Sequence, residues 1–314
     1  MKLKWTCLLI ALALTIVFRP GVNATPTFPD WAAPTNLGCQ INSPFGEQGP
    51  AISKDGRSLY FGSMRPDGLG TSDIWVSQRA SVDNPWGPPL NLGAIVNTPG
   101  VENIPALSRD GHWLFFNSDR AGTSGILDIW VSYRAQVHDD CAWQPPVNLG
   151  AGVNSPAFEA GASYLENEQG GSPVLFLGRG PTLAAFDIYA SERQPDGWFG
   201  GAVFIPELNS AQSDQRPSVR FDGLERFLSS DRLGSLGLSD LWVSTRDTVF
   251  DTWGAPTNLG PAVNSPFADM QPNIAADRQT LFFTSNRPDG CGALDLYMTT
   301  RIRRGVLEQT LSEG

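Results

Sequence analysis

Histidine and cysteine are nearly missing from this sequence, with two His and four Cys in 314 residues. His112 and His138 lie far apart and neither sits in a nucleophile-elbow motif, which argues against a His-rich zinc site and a Ser–His nucleophile. Glycine motifs that cradle phosphate are absent too. Charge is sparse, at 17% of residues, and mostly negative, for a net of −10. Such a surface repels phosphate backbones, so nucleic acid is not an expected partner.

Long hydrophobic runs are also lacking. The one apolar stretch of note, Trp5 to Phe18, falls short of the ~20 residues a membrane-spanning helix needs. With Lys2 and Lys4 before it and Val22-Asn23-Ala24 after it, residues 1–24 read as a secretory signal peptide. The mature chain is then secreted or periplasmic, starts near Thr25, and has no stable membrane insertion. It retains Cys39, Cys141 and Cys291, an odd number and too few for a disulfide-built scaffold.

What the chain has in quantity is Gly (33), Pro (25) and Trp (10), the mark of many short strands joined by tight turns. One phrase recurs five times, as Ser72-Asp73-Ile74-Trp75-Val76-Ser77, Leu127-Asp128-Ile129-Trp130-Val131-Ser132, Phe186-Asp187-Ile188-Tyr189-Ala190-Ser191, Ser239-Asp240-Leu241-Trp242-Val243-Ser244 and Leu294-Asp295-Leu296-Tyr297-Met298-Thr299. Its aspartates are spaced 55, 59, 53 and 55 residues apart. Each unit accommodates four strands. In the second they are A from Asn103 to Ser108, B from Trp113 to Asn117, C from Asp128 to Tyr133, and D from Trp143 to Gly150, with Asp110-Gly111 as the A–B hairpin turn. Four strands at this period make a propeller blade, so the expected fold is an all-β, five-bladed β-propeller of four-stranded antiparallel blades over residues 25–301, with a polar tail at 302–314. Unit 3 departs from the pattern: Asn167 to Gly171 replace the Asp-Gly turn, and Val174 to Arg179 is one residue short.

The chain opens with a D-type segment, Trp31–Gly38, and ends on an A-B-C set without a D. The N-terminal strand therefore closes the last blade and removes an exposed sheet edge. In that closed blade Cys39, after strand D, and Cys291, in the B–C loop, share one face, and a disulfide between them is expected, with Cys141 left as a free thiol.

The phrase S-x-D-G-x-x-L-x-F, followed by S-x-R and D-I-W-V-S, resembles the PD40 (WD40-like, TolB-type) propeller repeats of exported bacterial proteins, over residues 31 to 301. The resemblance implies the propeller fold, and TolB-type relatives imply protein–protein contact.

Three charged positions recur at the face carrying the D–A and B–C connections. They are the acid opening strand A (Glu47, Glu102, Glu159, Asp214, Asp269), the arginine leaving strand B (Arg65, Arg120, Arg179, Arg232, Arg287) and the aspartate opening strand C (Asp73, Asp128, Asp187, Asp240, Asp295). Each arginine is expected between two carboxylates in a structural ion network. The residues after each acid do not repeat: Gln48, Asn103, Ala160, Gln215 and Met270, then Gly49, Ile104, Gly161, Arg216 and Gln271. Where the repeat relaxes, a ligand can shape the choice. The expected binding face therefore comprises Glu47, Gln48, Glu102, Asn103, Glu159, Asp214, Gln215, Arg216, Asp269 and Gln271, with Arg216 a channel cation or a partner of Asp214. Asn42, Asn97, Asn154, Asn209 and Asn264 in the D–A connections read as turn formers bonding local backbone.

No cofactor is expected. Asp67-Gly68 and Asp289-Gly290 are the nearest approach to a Ca²⁺ site but lack dense oxygen-ligand spacing. No residue reads as a catalytic nucleophile or metal-bound base. The sequence thus points to a non-enzymatic binding or interaction module, with a protein or carbohydrate ligand on the channel face. The alternative is a glycoside hydrolase of the five-bladed propeller type, using two channel carboxylates.

Overall fold

The computed structural model describes residues 31–301, apart from 168, 169 and 183. The signal segment and the tail lie outside the described residues. Twenty strands form five antiparallel four-stranded sheets, with no helix among the described residues. The chain enters on β1 (Thr35–Asn36). Blade 1 is β2 (Glu47–Ile52), β3 (Ser58–Ser63), β4 (Asp73–Gln78) and β5 (Leu90–Asn91). Blade 2 is β6 (Glu102–Leu107), β7 (Trp113–Ser118), β8 (Asp128–Tyr133) and β9 (Val147–Asn148). Blade 3 is β10 (Phe158–Leu165), β11 (Val174–Thr182), β12 (Ala185–Glu192) and β13 (Val203–Phe204). Blade 4 is β14 (Asp214–Val219), β15 (Glu225–Ser230), β16 (Asp240–Thr245) and β17 (Thr257–Asn258). Blade 5 is β18 (Asp269–Ile274), β19 (Thr280–Ser285) and β20 (Asp295–Thr300), completed by β1.

The ring closes as the strand count implies. Thr35 pairs with Met298, Asn36 with Tyr297, and Trp31 bridges Arg301. Cys39 and Cys291 form a disulfide with Cα atoms 5.5 Å apart, and Cys141 is free and exposed.

Strands A and B are largely buried on both faces because each blade packs against two neighbours; Leu59, Tyr60 and Phe61 are consecutive and fully buried. Five hydrophobic clusters fill the five junctions between blades. Tyr60 and Ile74 of blade 1, for example, meet Leu114, Phe116 and Trp130 of blade 2. The arginine after each C strand stacks on the tryptophan preceding strand D in four blades, as Arg79 on Trp86 (4.2 Å) and Arg301 on Trp31 (4.8 Å).

Strand D is shorter than the sequence suggests, a two-residue ladder in every blade. The D–A asparagines take over where it ends, reaching strand C of their blade; Asn209 also bonds its own turn, its Nδ2 donating to Ile205 C=O (2.9 Å). Asn97 Oδ1 accepts from Ile74 N–H (2.9 Å) while its Nδ2 donates to Ile74 C=O (3.0 Å). Asn154, Asn209, Asn264 and Asn42 repeat this pair on Ile129, Ile188, Leu241 and Leu296. A side-chain amide thus replaces one backbone unit of strand D.

Candidate functional site

The five acids that open strand A are fully buried. Arg65 holds Glu47 at 3.0 Å, Arg120 holds Glu102 at 3.1 Å, Arg179 holds Glu159 at 2.7 Å, and Arg287 holds Asp269 at 2.5 Å. Arg232 Nε lies 3.1 Å from Asp214. Each acid also accepts from a D–A loop Ser or Thr, as Glu102 does from Thr98 N–H (2.6 Å) and Oγ1 (2.8 Å). Each arginine donates to a carbonyl of the same loop, Ile41, Val96, Val153, Leu208 or Val263. These groups knit strand A to its incoming loop, and none is free to receive a ligand.

The strand C aspartates stand apart from this network, against expectation. Asp73 Oδ1 accepts from Gly70 N–H at 3.0 Å and its Oδ2 from Asn91 Nδ2 at 2.8 Å. Asp128, Asp240 and Asp295 likewise take amides of their B–C loops and the asparagines Asn148, Asn258 and Asn36 of strand D. They cap a loop instead of pairing with arginine, because the Arg side chains turn toward strand A. Asp67 and Asp289 occupy positive-φ positions (75° and 70°) in those loops.

Asp187 is the exception. In blade 3, Thr182 pairs directly with Ala185, so the loop whose amides would cap it is replaced by a tight hairpin. Phe204 stands where strand D carries Asn in the other blades. No hydrogen bond or ion pair holds the Asp187 carboxylate among the described residues, and the residue is half-buried. Burial first, and then the neighbouring Asp214 carboxylate, push its pKa above the ordinary aspartate value. Blade 3 perturbs its ring acid as well. Arg179 sits directly opposite Glu159, at the register point that Ser63 occupies opposite Glu47. Glu159 therefore lacks the hydroxyl that Ser63 and Ser118 donate to Glu47 and Glu102 (both 2.7 Å), and burial raises its pKa. The sequence signals this blade only as one that breaks the pattern; β11 proves longer than its counterparts, with its arginine earlier.

A second carboxylate lies close by. Phe186 N–H donates to Ser213 Oγ (3.0 Å), and Ser213 N–H donates to Asp231 Oδ1 (2.8 Å). Ser213 thus stands between the segment carrying Asp187 and the exposed Asp231, at the junction of blades 3 and 4. Sequence reading passed over Asp231, which follows the Ser at the end of strand B just as Asp119 does in blade 2.

The non-repeating channel residues are less free than the sequence suggests. Gly49, Ile104, Gly161, Arg216 and Gln271 are all in the left-handed region, with φ from 51° to 65°, each at a bulge in its strand A. A Cβ on Gly161 would come within 2.7 Å of Arg216 Cγ, and one on Gly49 within 2.6 Å of Ile104 Cα. Gln271 Oε1 accepts from Gly49 N–H (2.5 Å) and from Thr284 Oγ1 (2.9 Å). Gln48, Asn103 and Gln215 precede their bulges, and Asn103 Oδ1 accepts from Asn117 Nδ2 at 3.2 Å. Arg216 makes no salt bridge to Asp214. The channel between these strands holds only about 40 Å³ of free space, too little for a sugar ring or a peptide.

No family model matches this chain and no curated protein does. Solved structures share its fold. An α-L-arabinofuranosidase from Podospora anserina, in complex with cellotriose, is 13% identical over 88% of this chain and 98% of its own, with a TM-score of 0.56. An α-L-arabinofuranosidase from Lactobacillus brevis is 13% identical over 83% and 91%, with a TM-score of 0.59. An exo-β-1,3-galactanase from Phanerochaete chrysosporium, with galactose, is 12% identical over 88% and 65%, with a TM-score of 0.54. The expectation of a non-enzymatic module on the channel face is corrected here. Its structural neighbours are mostly glycoside hydrolases, and the acids on which it leaned are buried and taken by arginine.

Proposed function

We propose that the protein is a glycoside hydrolase whose reacting groups lie at the junction of blades 3 and 4, not on the ring of channel acids. The observation that carries this reading is Asp187, the one strand C aspartate left unheld and pushed toward its protonated form. A glycosidic bond is cleaved by one carboxyl that holds a proton for the leaving oxygen and a second that acts as carboxylate. Asp187 takes the first role, since burial and then the neighbouring Asp214 carboxylate both favour its protonated form. The exposed Asp231 takes the second role, as base toward water or as nucleophile. The five-bladed fold that this chain has in common with arabinofuranosidases and a galactanase supports the reading. It also makes arabinofuranosyl and galactosyl linkages the first substrates to test.

The repeat phrase supports a PD40-type origin for the blades. Lys2, Lys4 and the apolar run after them support export to a secreted or periplasmic location, as does the Cys39–Cys291 disulfide, which persists in oxidising compartments.

The test is to assay the purified protein on nitrophenyl α-L-arabinofuranoside, arabinoxylan and β-1,3-galactan. Hydrolysis is expected, with D187N and D231N each reducing the rate about 10²-fold or more without lowering the melting temperature. Full activity in D187N, or no release of sugar from any of the three, overturns the assignment.

A further inference from the structure

Arg216 is the charged residue of the axial channel for which the structure shows no counter-charge. Its Nε is sequestered from solvent with no acceptor, and its guanidinium makes no ion pair or aromatic contact among the described residues. The acceptors around it are already engaged. Gln271 Oε1 serves Gly49 and Thr284, and Ser218 Oγ accepts from Ile274 N–H at 3.1 Å. The neighbouring rim acids are closed by their own arginines, Asp214 by Arg232 and Glu159 by Arg179. Room for the side chain is made on purpose: Gly161, beside it in the ring, offers no Cβ where one would strike Arg216.

We propose that the axial channel binds a small monovalent anion, a chloride or a single carboxylate head group, on the Arg216 guanidinium. Size decides the class. About 40 Å³ exceeds what one water requires and is of the order of a monatomic ion or one carboxylate group, while a whole sugar ring does not fit. Charge decides the sign. A half-buried guanidinium with a sequestered Nε and no acidic partner is stabilised by an anion far more than by a neutral guest. Burial draws the Arg216 pKa down to about 9, so the group still carries its charge at neutral pH. Neither Asp187 nor Asp231 lines this channel, and the inference stands whether or not the protein hydrolyses glycosides.

The experiment measures the melting temperature of the full chain at pH 7 and fixed ionic strength, exchanging the bulky anion MES for chloride, formate or glucuronate. Saturable rises of several degrees are expected with chloride and formate. R216Q is the matched variant, since Gln271 already holds the equivalent left-handed position, and R216G copies Gly49 and Gly161. Both should fold and lose the rise. A rise with glucuronate that R216Q also abolishes identifies a sugar-borne carboxylate as the natural source, and its absence identifies the free ion. Bromide soaked into crystals should appear at Arg216. No rise in the unaltered protein, or an equal rise in R216Q and R216G, overturns the proposal.

Discussion

Asp187 differs from Asp73, Asp128, Asp240 and Asp295 not in its own chemistry but in what its surroundings donate. Four of the five carboxylates receive two loop amides and an asparagine; the fifth receives none. The raised pKa of Asp187 has a consequence for stability that can be read separately from activity. Below the ordinary aspartate pKa the group is protonated in both the folded and the unfolded chain. As the pH rises through the window between the ordinary and the raised value, the unfolded chain loses its proton first, so stability falls. D187N is thus expected to match the unaltered protein in urea unfolding at pH 3 and to be more stable at pH 7. A stability difference that is the same at both values contradicts a raised pKa. Such a gain on removing an acid proposed for catalysis is the trade expected between function and stability.

At the scale of the element, β15 breaks the pattern of its counterparts. Arg226 pairs with Ser244 at the register point where Leu59, Leu114, Leu175 and Leu281 sit in the other blades. It is fully buried, with all three guanidinium nitrogens lacking an acceptor, between the Phe176 ring (3.6 Å) and Trp253 (4.2 Å). Burial, and then the nearby Arg246, pull its pKa well down. Stacking on two rings offsets only part of the desolvation cost. R226L, which restores the residue of the other four blades, should raise the unfolding free energy by about 1–3 kcal/mol. Equilibrium denaturation measures this, and a destabilised R226L would mean the aromatic sandwich outweighs the missing acceptors. The same scale explains the short D strands. A strand that needs only two residues in its ladder is completed by one asparagine, which the sequence shows as a recurring Asn without indicating what it bonds.

For the whole molecule, the decisive feature is where the ring is covalently open. Blade 5 is assembled from both ends of the chain, held by two ladder pairs of β1 on β20, the Trp31–Arg301 bridge and one disulfide. Cys39 and Cys291 are 252 residues apart, so the bond restricts nearly the whole unfolded chain. The chain-entropy estimate for such a loop is about 5 kcal/mol. The double variant C39S/C291S should lose a comparable amount in chemical denaturation and become prone to edge-to-edge association at β20. Unchanged stability and a monomeric variant would show that β1 closes the ring unaided.

The order of the strands, the number of blades, the closing segment and the disulfide were all legible in the sequence, because each follows from a repeated local pattern and from counting its copies. The pairing of Arg65, Arg120, Arg232 and Arg287 with the strand A acids was half legible: the residue types are regular, but the direction each guanidinium turns is set by loop carbonyls such as Val96 and Leu208, which carry no sequence signature. The freedom of the channel residues was misread, since the left-handed bulge that constrains Ile104, Arg216 and Gln271 shows only as a glycine in two of five repeats. The juxtaposition of Asp187 and Asp231 belongs to tertiary structure alone. It depends on a hairpin within blade 3, a phenylalanine on β13 and a serine at the head of β14, three places whose separate residues look ordinary. The sequence determined which groups exist and how often they repeat. Which carboxylate remains unheld was decided by what else packs within hydrogen-bonding distance of it, and that is a property of the assembled ring.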